Sequence, residues 1–360
     1  MRITCFMKLM SRWLMGVLIL WGCEEPYDFE EDKDIERPII ITGYIDQSSG
    51  PYFVKVSQAS ATGSLPANVL AACVILYDET GPSEEFEEVG DGVYRCPGNT
   101  VHGEPGGSYY IEVKLSTGHV FRSVPETMPA LQASDSLNWK ETLDVRTAST
   151  GLDFKVPVVS IDMTTSIPQT SEPLYFNWVG AESFSIIPTD FPDPFGSIPP
   201  PCYVTRYFGS EKINLFSNLQ NKAPSYTFEG FWIRDIDDSF LTKHIFTVYQ
   251  YGISKGYYSY LQSVKVLVEN NGSLFDSPPG RAVGNIYPLE GDALVQGYFH
   301  ASVVDTTRMA VFPNELISFI IDDCEYTIGK PFSEYDAHCL NCLNYPGSTY
   351  ERPEYWTKVY

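Results

Sequence analysis

Three adjacent segments, Tyr109-Tyr-Ile-Glu-Val-Lys-Leu115, Ser116-Thr-Gly118 and Val120-Phe-Arg-Ser-Val124, decide the fold class. In the first segment, apolar and polar side chains alternate with a period of two, which is typical of a half-buried β-strand. The Gly-containing turn and the second apolar run then predict an antiparallel hairpin. A helix is disfavoured here because its apolar residues would have to recur every three or four positions.

The same pattern extends toward the N-terminus. Short β-rich runs separated by Gly, Pro, Asp and Ser occupy Ile39–Ile45, Tyr52–Ser57, Ala72–Tyr77, Phe86–Val89 and Val93–Cys96. With the hairpin they make about seven strands in roughly 90 residues, a density typical of a β-sandwich. We therefore predict a small Ig-like or transthyretin-like β-sandwich over residues 38–125.

A second β-rich region is predicted over residues 130–323, after a change of pattern around Pro125 and Pro129. Its candidate strands are Val156–Met163, Leu174–Val179, Tyr203–Phe208, Tyr226–Ile233, Ile245–Tyr251, Leu294–Val304 and Leu316–Ile321. One segment, about 254–270, instead has helical spacing, with Ser254 as the N-cap and an apolar stripe that predicts a core-facing side. That stripe comprises Tyr257, Tyr260, Leu261, Val264, Leu267 and Val268. The expected fold is mostly β, with two β-sandwich-like domains and one substantial helix in the second.

The N-terminal 22 residues have the features of a secretory signal. Arg2, Lys8 and Arg12 precede an uncharged apolar run that ends in Leu20-Trp21-Gly22-Cys23. This ending resembles a bacterial lipobox, in which the cysteine thiol is acylated and becomes the new N-terminus. Trp21 departs from the small residue usual at that position. We predict a lipoprotein signal peptide over 1–22 and a lipidated (acylated, for example palmitoylated) Cys23, which anchors the chain to a membrane.

The segment 23–37 is strongly acidic, and we interpret it as an extended tether because self-repulsion opposes folding. The whole chain of 360 residues carries a formal charge of -22. Such a charge repels phosphate backbones, so nucleic acid is excluded as a partner. The sequence also contains no apolar run of about 18 or more residues, which excludes a polytopic helical membrane protein.

Six cysteines remain after Cys5 and Cys23: Cys73, Cys96, Cys202, Cys324, Cys339 and Cys342. An even number in an exported chain predicts disulfides. We expect Cys73 to pair with Cys96, since both lie on strands of the first domain. Cys202 and Cys324 would then each take one of Cys339 and Cys342, which would staple a C-terminal tail, 324–360, to the second domain.

Two other interpretations of these cysteines are weaker. Cys324, His338, Cys339 and Cys342 are ligand types suited to zinc, but the oxidising compartment favours disulfides. Cys339-Leu-Asn-Cys342 is a Cys-x-x-Cys pair without the strand–helix setting of a thiol oxidoreductase. We therefore predict no metal ion and no redox role.

Motifs for catalysis and cofactors are lacking. The sequence has no Gly-x-Ser-x-Gly elbow, no His-Glu-x-x-His motif, no phosphate loop and no dinucleotide fingerprint. The remaining histidines are His102, His119, His244 and His300. Acidic turns at Asp235-Ile-Asp237-Asp238 and Asp322-Asp323 lack the Gly and closing Glu of a calcium loop. We predict no catalytic residue and no cofactor, although paired carboxylates of a glycoside hydrolase are a spatial property that sequence does not reveal.

Several longer motifs resemble a known family. They are Ile41-Thr-Gly-Tyr-Ile45, Phe275-Asp-Ser-Pro278 through Gly284-Asn285-Ile286, Gln296-Gly297-Tyr298-Phe299, and the tail Cys339-Leu-Asn-Cys342 through Gly347, Pro353 and Trp356. Together they resemble the Bacteroidetes outer-membrane lipoprotein family catalogued as domain of unknown function forty-two forty-nine. Ile41–Ile45, with Gly92-Val-Tyr94 and Gly106–Val113, is also similar to the carboxypeptidase-regulatory module, which is not catalytic.

The resemblance implies an outer-membrane protein that is lipid-anchored and exposed at the cell surface. Members of the family are often encoded beside TonB-dependent receptors, so it also implies an accessory binding role in nutrient uptake with such a receptor as partner. The ligand is not specified. Two alternatives stay open, an envelope hydrolase that acts on glycans or peptides and a structural or adhesive surface protein.

Overall fold

A computed structural model describes residues 37–60, 65–130, 133–191, 199–208, 212–219, 223–269 and 282–358. The predicted signal peptide, the lipidation site and nearly all of the tether lie outside these ranges. No helix within the ranges is long and apolar enough to cross a membrane.

The described chain is mostly β, as predicted. The first strands are β1 (Ile39–Asp46), β2 (Tyr52–Gln58), β3 (Ala67–Asn68), β4 (Cys73–Asp78), β5 (Ser83–Glu85), β6 (Glu87–Gly90), β7 (Val93–Cys96), β8 (Ser108–Lys114), β9 (Val120–Ser123) and β10 (Glu126–Thr127). The hairpin that decides the fold class is β8–β9, whose antiparallel register joins Val113 to Phe121.

The later strands are β11 (Ser134–Thr147), β12 (Asp153–Ser166), β13 (Tyr175–Ile186), β14 (Cys202–Phe208), β15 (Asn214–Ser217), β16 (Ser225–Asp235), β17 (His244–Gly252), β18 (Ile286–Pro288), β19 (Val295–Gln296), β20 (Phe299–Val311) and β21 (Ser348–Thr349). The helices are α1 (Lys255–Glu269) and the single turn α2 (Ala337–Leu340). Short 3₁₀ turns lie at Asp238–Phe240, Pro313–Glu315, Phe332–Glu334, Cys342–Asn344 and Glu354–Thr357.

One long sheet, the central sheet, runs through the whole fold in the order β21-β14-β13-β17-β20-β1-β2-β7-β6. A second sheet, β18-β9-β8-β4-β5, covers one end of the central sheet and encloses the first core. A three-stranded sheet, β11-β12-β16, covers the β13–β17–β20 region and encloses the second core. Two sandwiches therefore share the central sheet.

Strand β20 belongs to both sandwiches. Its first residues pair in parallel with β1, and the rest pairs antiparallel with β17. Phe299 and Ala301 enter the first core, whereas Val311 enters the second. Because Ile286 also packs in the first core, the chain returns to that core after α1. Ile286, Phe299 and Ala301 thus lie in the predicted second region, 130–323, and yet pack in the core of the predicted first region, 38–125.

Helix α1 forms where the spacing predicts it, and the Ser254 hydroxyl accepts a hydrogen bond from the Tyr257 amide at 3.1 Å, as expected of an N-cap. The predicted core-facing stripe is only partly correct. No residue of α1 is fully buried, and Leu267 and Val268 near its end are 36% and 49% exposed. The last four residues of the helix, 266–269, are exposed.

The disulfide pattern differs from the prediction in the first domain. Disulfides join Cys202 to Cys342 and Cys324 to Cys339, whereas Cys73 and Cys96 are free thiols. The expected Cys73–Cys96 bridge is wrong because the two strands present these residues differently. On β4, Val74 and Leu76 occupy the core, so Cys73 lies on the outer face, while Cys96 points into the core.

Candidate binding face of the central sheet

The outer face of the central sheet carries the strongest candidate site. Along β20, Phe299, Ala301 and Val303 point into the first core, so His300, Ser302, Val304, Thr306 and Arg308 project from the opposite face. Along β17, Phe246 and Val248 enter the second core, so Thr247, Tyr249 and Tyr251 face outward with the outward residues of β20.

The strand register aligns these outward side chains in rows. Thr247 lies opposite Arg308, and Tyr251 lies opposite Val304. Tyr44 of β1 lies opposite His300. We call the surface that carries Tyr44, Tyr207, Tyr249 and Tyr251 the tyrosine face.

The four tyrosines lie close to one another. The Tyr207 and Tyr249 ring centroids are 6.1 Å apart, and Tyr207 is 66% exposed. Burial raises the pKa of Tyr44, Tyr249 and Tyr251, and the neighbouring phenols add to this effect. All three hydroxyls therefore stay protonated at neutral pH and can donate hydrogen bonds.

Several buried polar atoms on this face have no partner within the described chain. They are Thr247 Oγ1, Ser302 Oγ, Arg308 Nε and His300 Nδ1. Thr247 is 1% exposed and Ser302 is fully buried. A buried polar atom without a hydrogen bond costs about 1–3 kcal/mol, so each of these atoms would be stabilised by a further donor or acceptor. Gln250 Oε1 and His338 Nε2 share this property at other places.

Two elements border the tyrosine face. At one end, the tail places the Tyr355 ring 4.2 Å from the Arg308 guanidinium and its hydroxyl 2.9 Å from Ser183 Oγ. At the other end, α1 stacks Tyr257 on His300 at 4.0 Å. A cavity of about 270 Å³ lies there, and its aromatic lining comprises Tyr44, Phe53, Tyr257, Tyr260, Tyr298 and His300.

A buried carboxylate fixes the start of α1 to the sheet. Glu126 accepts hydrogen bonds from Ser254 Oγ at 2.6 Å and from the Tyr298 hydroxyl at 2.5 Å. Burial raises the pKa of Glu126, while these two donors oppose the shift. Gly256 lies beside them, and a Cβ there would lie 2.7 Å from the Tyr298 hydroxyl oxygen.

A larger cleft of about 730 Å³ lies where α1, β10 and β13 meet. Met128, Leu174, Phe176 and Ile253 line it, and the ionisable groups at its wall include the exposed Glu172 and Lys255. The cleft can accommodate an apolar ligand. Among the described residues that line it, Glu172 is the only carboxylate, so these residues do not supply the pair that glycoside hydrolases use.

A charged cluster lies beneath β13. The fully buried Glu182 carboxylate contacts Arg206, Arg234 at 2.9 Å and His244 Nε2 at 3.0 Å. Burial alone would raise the pKa of Glu182, but these partners hold it well below its usual range. Burial lowers the pKa of His244.

Ser239 Oγ lies 3.4 Å from His244 Nδ1, which gives a Ser–His–Glu order reminiscent of a hydrolase triad. The Ser239 hydroxyl, however, donates to Asp237 at 2.5 Å as part of a turn, and His244 is stacked 4.0 Å from Phe240. Both side chains are buried. We interpret the cluster as a structural ion network that connects β13, β14, β16 and β17.

The cysteines that were considered as zinc ligands or as a redox pair form disulfides. Ligand atoms of Cys324, His338 and Cys339 lie within 4.8 Å of one another, but the two sulfurs form a disulfide and so are not thiolate ligands for zinc. Cys339 and Cys342 belong to different disulfides, so the Cys-x-x-Cys pair is not a dithiol.

The acidic turns and two of the histidines also have local partners. Asp235 pairs with Arg146, and Asp237 pairs with Arg234. Asp322 accepts a hydrogen bond from the Cys324 amide. The His102 carbonyl accepts one from Tyr109, and His119 Nδ1 contacts Thr117 Oγ1. Cys23 lies outside the described residues, so its lipidation stays a prediction.

Sequence reasoning identified no residue of the tyrosine face as a binding residue. The sequence does contain a signal for this face. Tyr249 and Tyr251 are two residues apart, and His300, Ser302 and Arg308 are separated by even numbers of residues, so each set lies on one face of its strand. That alternation does not reveal which face is covered, because both faces of a central strand can be buried.

Comparison with known proteins identifies the family. The family described as "Domain of unknown function (DUF4249)" matches residues 24–308, and the chain belongs to it. No curated protein matches the chain significantly. Among solved structures, a "Biofilm associated protein - BSP domain" aligns with 78% of this chain and 60% of its own, at 9% identity and a TM-score of 0.16. A likeness that low carries no argument about fold or function.

Proposed function

We propose that this chain is a lipid-anchored binding protein of the outer membrane, exposed at the cell surface. In this proposal it serves as an accessory to a TonB-dependent transporter in nutrient uptake and has no catalytic site. The observation that carries the proposal is the tyrosine face, which combines aromatic rings with buried polar atoms that have no hydrogen-bond partner within the described chain.

The ionisable groups that the described chain buries favour binding over hydrolysis. Glu182 is paired with Arg206 and Arg234 and hydrogen-bonded to His244, and Glu126 fixes the start of α1. A hydrolase needs its acid and base free to exchange protons with a substrate in a cleft. The membrane location rests on the predicted signal peptide and Cys23.

The test is crosslinking on intact cells, followed by solubilisation of the outer membrane, capture of this protein and mass spectrometry. A Cys23→Ala variant removes the anchor, and Cys5→Ala is the matched control because Cys5 lies inside the predicted signal. We expect a TonB-dependent receptor with the wild type and with Cys5→Ala, and its loss with Cys23→Ala. Recovery of the protein alone in all three preparations would contradict the transporter role and favour a hydrolase or an adhesin.

A further inference from the structure

We propose that the tyrosine face binds a neutral glycan chain, with pyranose rings stacked on the tyrosines and sugar hydroxyls bonded to the buried polar atoms between them. This inference rests on the proposed binding function and specifies its ligand class. It starts from the two kinds of group that the face presents together, namely aromatic rings and unpartnered polar atoms.

The aromatic groups are spaced along two directions of the sheet. Tyr249 and Tyr251 are two residues apart on β17, so their rings stand about 7 Å apart along the strand. Tyr207 extends the series toward β14, and Tyr44 extends it toward β1. The apolar C–H face of a pyranose packs on such rings, and the phenol hydroxyls reach its edges.

The polar groups lie between and beside the rings. Thr247 is separated from Tyr207 only by Ala181 in the same row across the sheet. Thr247 lies opposite Arg308, and Ser302 precedes Arg308 by six positions on β20. A ligand dense in hydroxyls can donate to and accept from such groups, and it would remove the cost of leaving them unpaired.

Other ligand classes fit less well. A peptide that adds to a sheet needs free backbone groups at an edge, but β17 is paired on both sides, with β13 and with β20. A lipid chain would leave the polar atoms unpaired. A polyanion is disfavoured by the net charge of -22. A neutral polyhydroxylated chain needs no free strand edge, can bond to the polar atoms and is not repelled by the negative charge.

The experiment is retardation of the full-length lipidated protein, in detergent, on native gels that contain a soluble glucan, mannan or xylan. We expect at least one polysaccharide to retard the wild type, and Tyr249→Ala to weaken its binding at least tenfold. Tyr207→Ala is the second variant, because Tyr207 is 66% exposed and its removal leaves the packing intact. Tyr287→Ala, at a 40% exposed tyrosine of the other sandwich sheet, is the matched control and should stay within twofold of wild type.

A second readout separates binding from a structural role. Thr247→Val keeps the shape of a side chain that is 1% exposed and removes its unpartnered hydroxyl. We expect this variant to unfold at a higher urea concentration and yet to bind the polysaccharide several-fold more weakly. Unchanged binding with raised stability would overturn the role of Thr247.

The inference is overturned if no polysaccharide retards the wild type, or if Tyr249→Ala, Tyr207→Ala and Tyr287→Ala are retarded equally. It is also overturned if a tryptic digest of casein competes with the polysaccharide, because a peptide would then be the ligand. Failure of glycan binding with the receptor still recovered by crosslinking removes this inference alone. Loss of the receptor with glycan binding retained removes the transporter role alone.

Discussion

His300 makes the stability of this fold depend on pH. Its ring is stacked on Tyr257 at 4.0 Å, and its Nδ1 has no hydrogen-bond partner within the described chain. Burial lowers the pKa of His300 to about 3 from an ordinary value of 6.5. The folded state therefore favours the neutral imidazole, and the resulting stability is fully present above pH 6.5 and lost as the pH falls toward 3.

The size of the effect follows from these two values. Between about pH 7.5 and pH 5, linkage gives a loss of about 2 kcal/mol in the free energy of unfolding from this one group. This is an upper value, because the ring is only half-buried and solvent screens part of its charge. His300→Phe keeps a ring against Tyr257 and removes the titration, so it should lose about 2 kcal/mol less than the wild type over the same range.

The assay is urea unfolding at both pH values, followed by tryptophan fluorescence, since Trp178 is buried in the second core. His119→Phe is the control, because His119 is exposed in a turn and should leave the difference between the two pH values unchanged. Burial also lowers the pKa of His244, so acid destabilises the fold through this residue as well. This loss of stability is the same in the wild type and in both variants. Equal acid sensitivity of the wild type and His300→Phe would refute the reasoning.

Three further outcomes are expected. Glu182→Gln removes the buried negative charge beside the Arg234 guanidinium, whose side chain is 12% exposed, and should destabilise the fold by about 3–5 kcal/mol in urea unfolding. A loss below about 1 kcal/mol would show that the cluster is not a buried ion network. Burial raises the pKa of Cys96 to about 11, so this thiol should resist alkylation in the native protein, whereas the half-buried Cys73 should react. A Cys73–Cys96 disulfide would instead block the alkylation of both. Gly256→Ala should lower the thermal midpoint despite its better helix propensity, because its Cβ would meet the Tyr298 hydroxyl at 2.7 Å; a raised midpoint would show that this contact yields.

Strand periodicity predicted most of the longer strands, and two of its failures have physical causes. The alternating segment Leu316–Ile321 is not a strand, because the Glu141 carboxylate accepts hydrogen bonds from the Ile317 and Ser318 amides in place of a neighbouring strand. Ile317 is 91% exposed as a result. Conversely, β11 (Ser134–Thr147) was not predicted, because Glu141 interrupts the alternation that Leu137 and Trp139 begin and that Leu143 and Val145 continue.

The cysteine prediction was correct for the tail and wrong for the first domain. Sequence position correctly connected the tail cysteines with Cys202 and Cys324 as a set, and the structure adds the individual pairings. For Cys73 and Cys96, membership of one domain was insufficient, because a disulfide also needs both Cβ atoms to face each other. The outward position of Cys73 follows from its place in the alternation of β4, so this information was present in the sequence.

The candidate site escaped sequence analysis because no single segment contains it. Tyr44, Tyr207, Tyr249 and the β20 residues come from four strands that are far apart in the chain. Their alignment depends on β20, which pairs with β1 in its first half and with β17 in its second half. A strand shared in this way makes the outer surface continuous across both sandwiches.

This continuity connects the stability of the two sandwiches to the candidate site. A fragment ending near residue 125 would lack Ile286, Phe299 and Ala301 from the first core, and would also lack the strand that aligns Tyr44 with His300. Loss of several fully or largely buried apolar side chains costs about 1.5–3 kcal/mol each, which is a large part of the stability of a small sandwich. The return of the chain through β18–β20 therefore completes the first core and brings together the tyrosines of the first and second sandwiches on one surface.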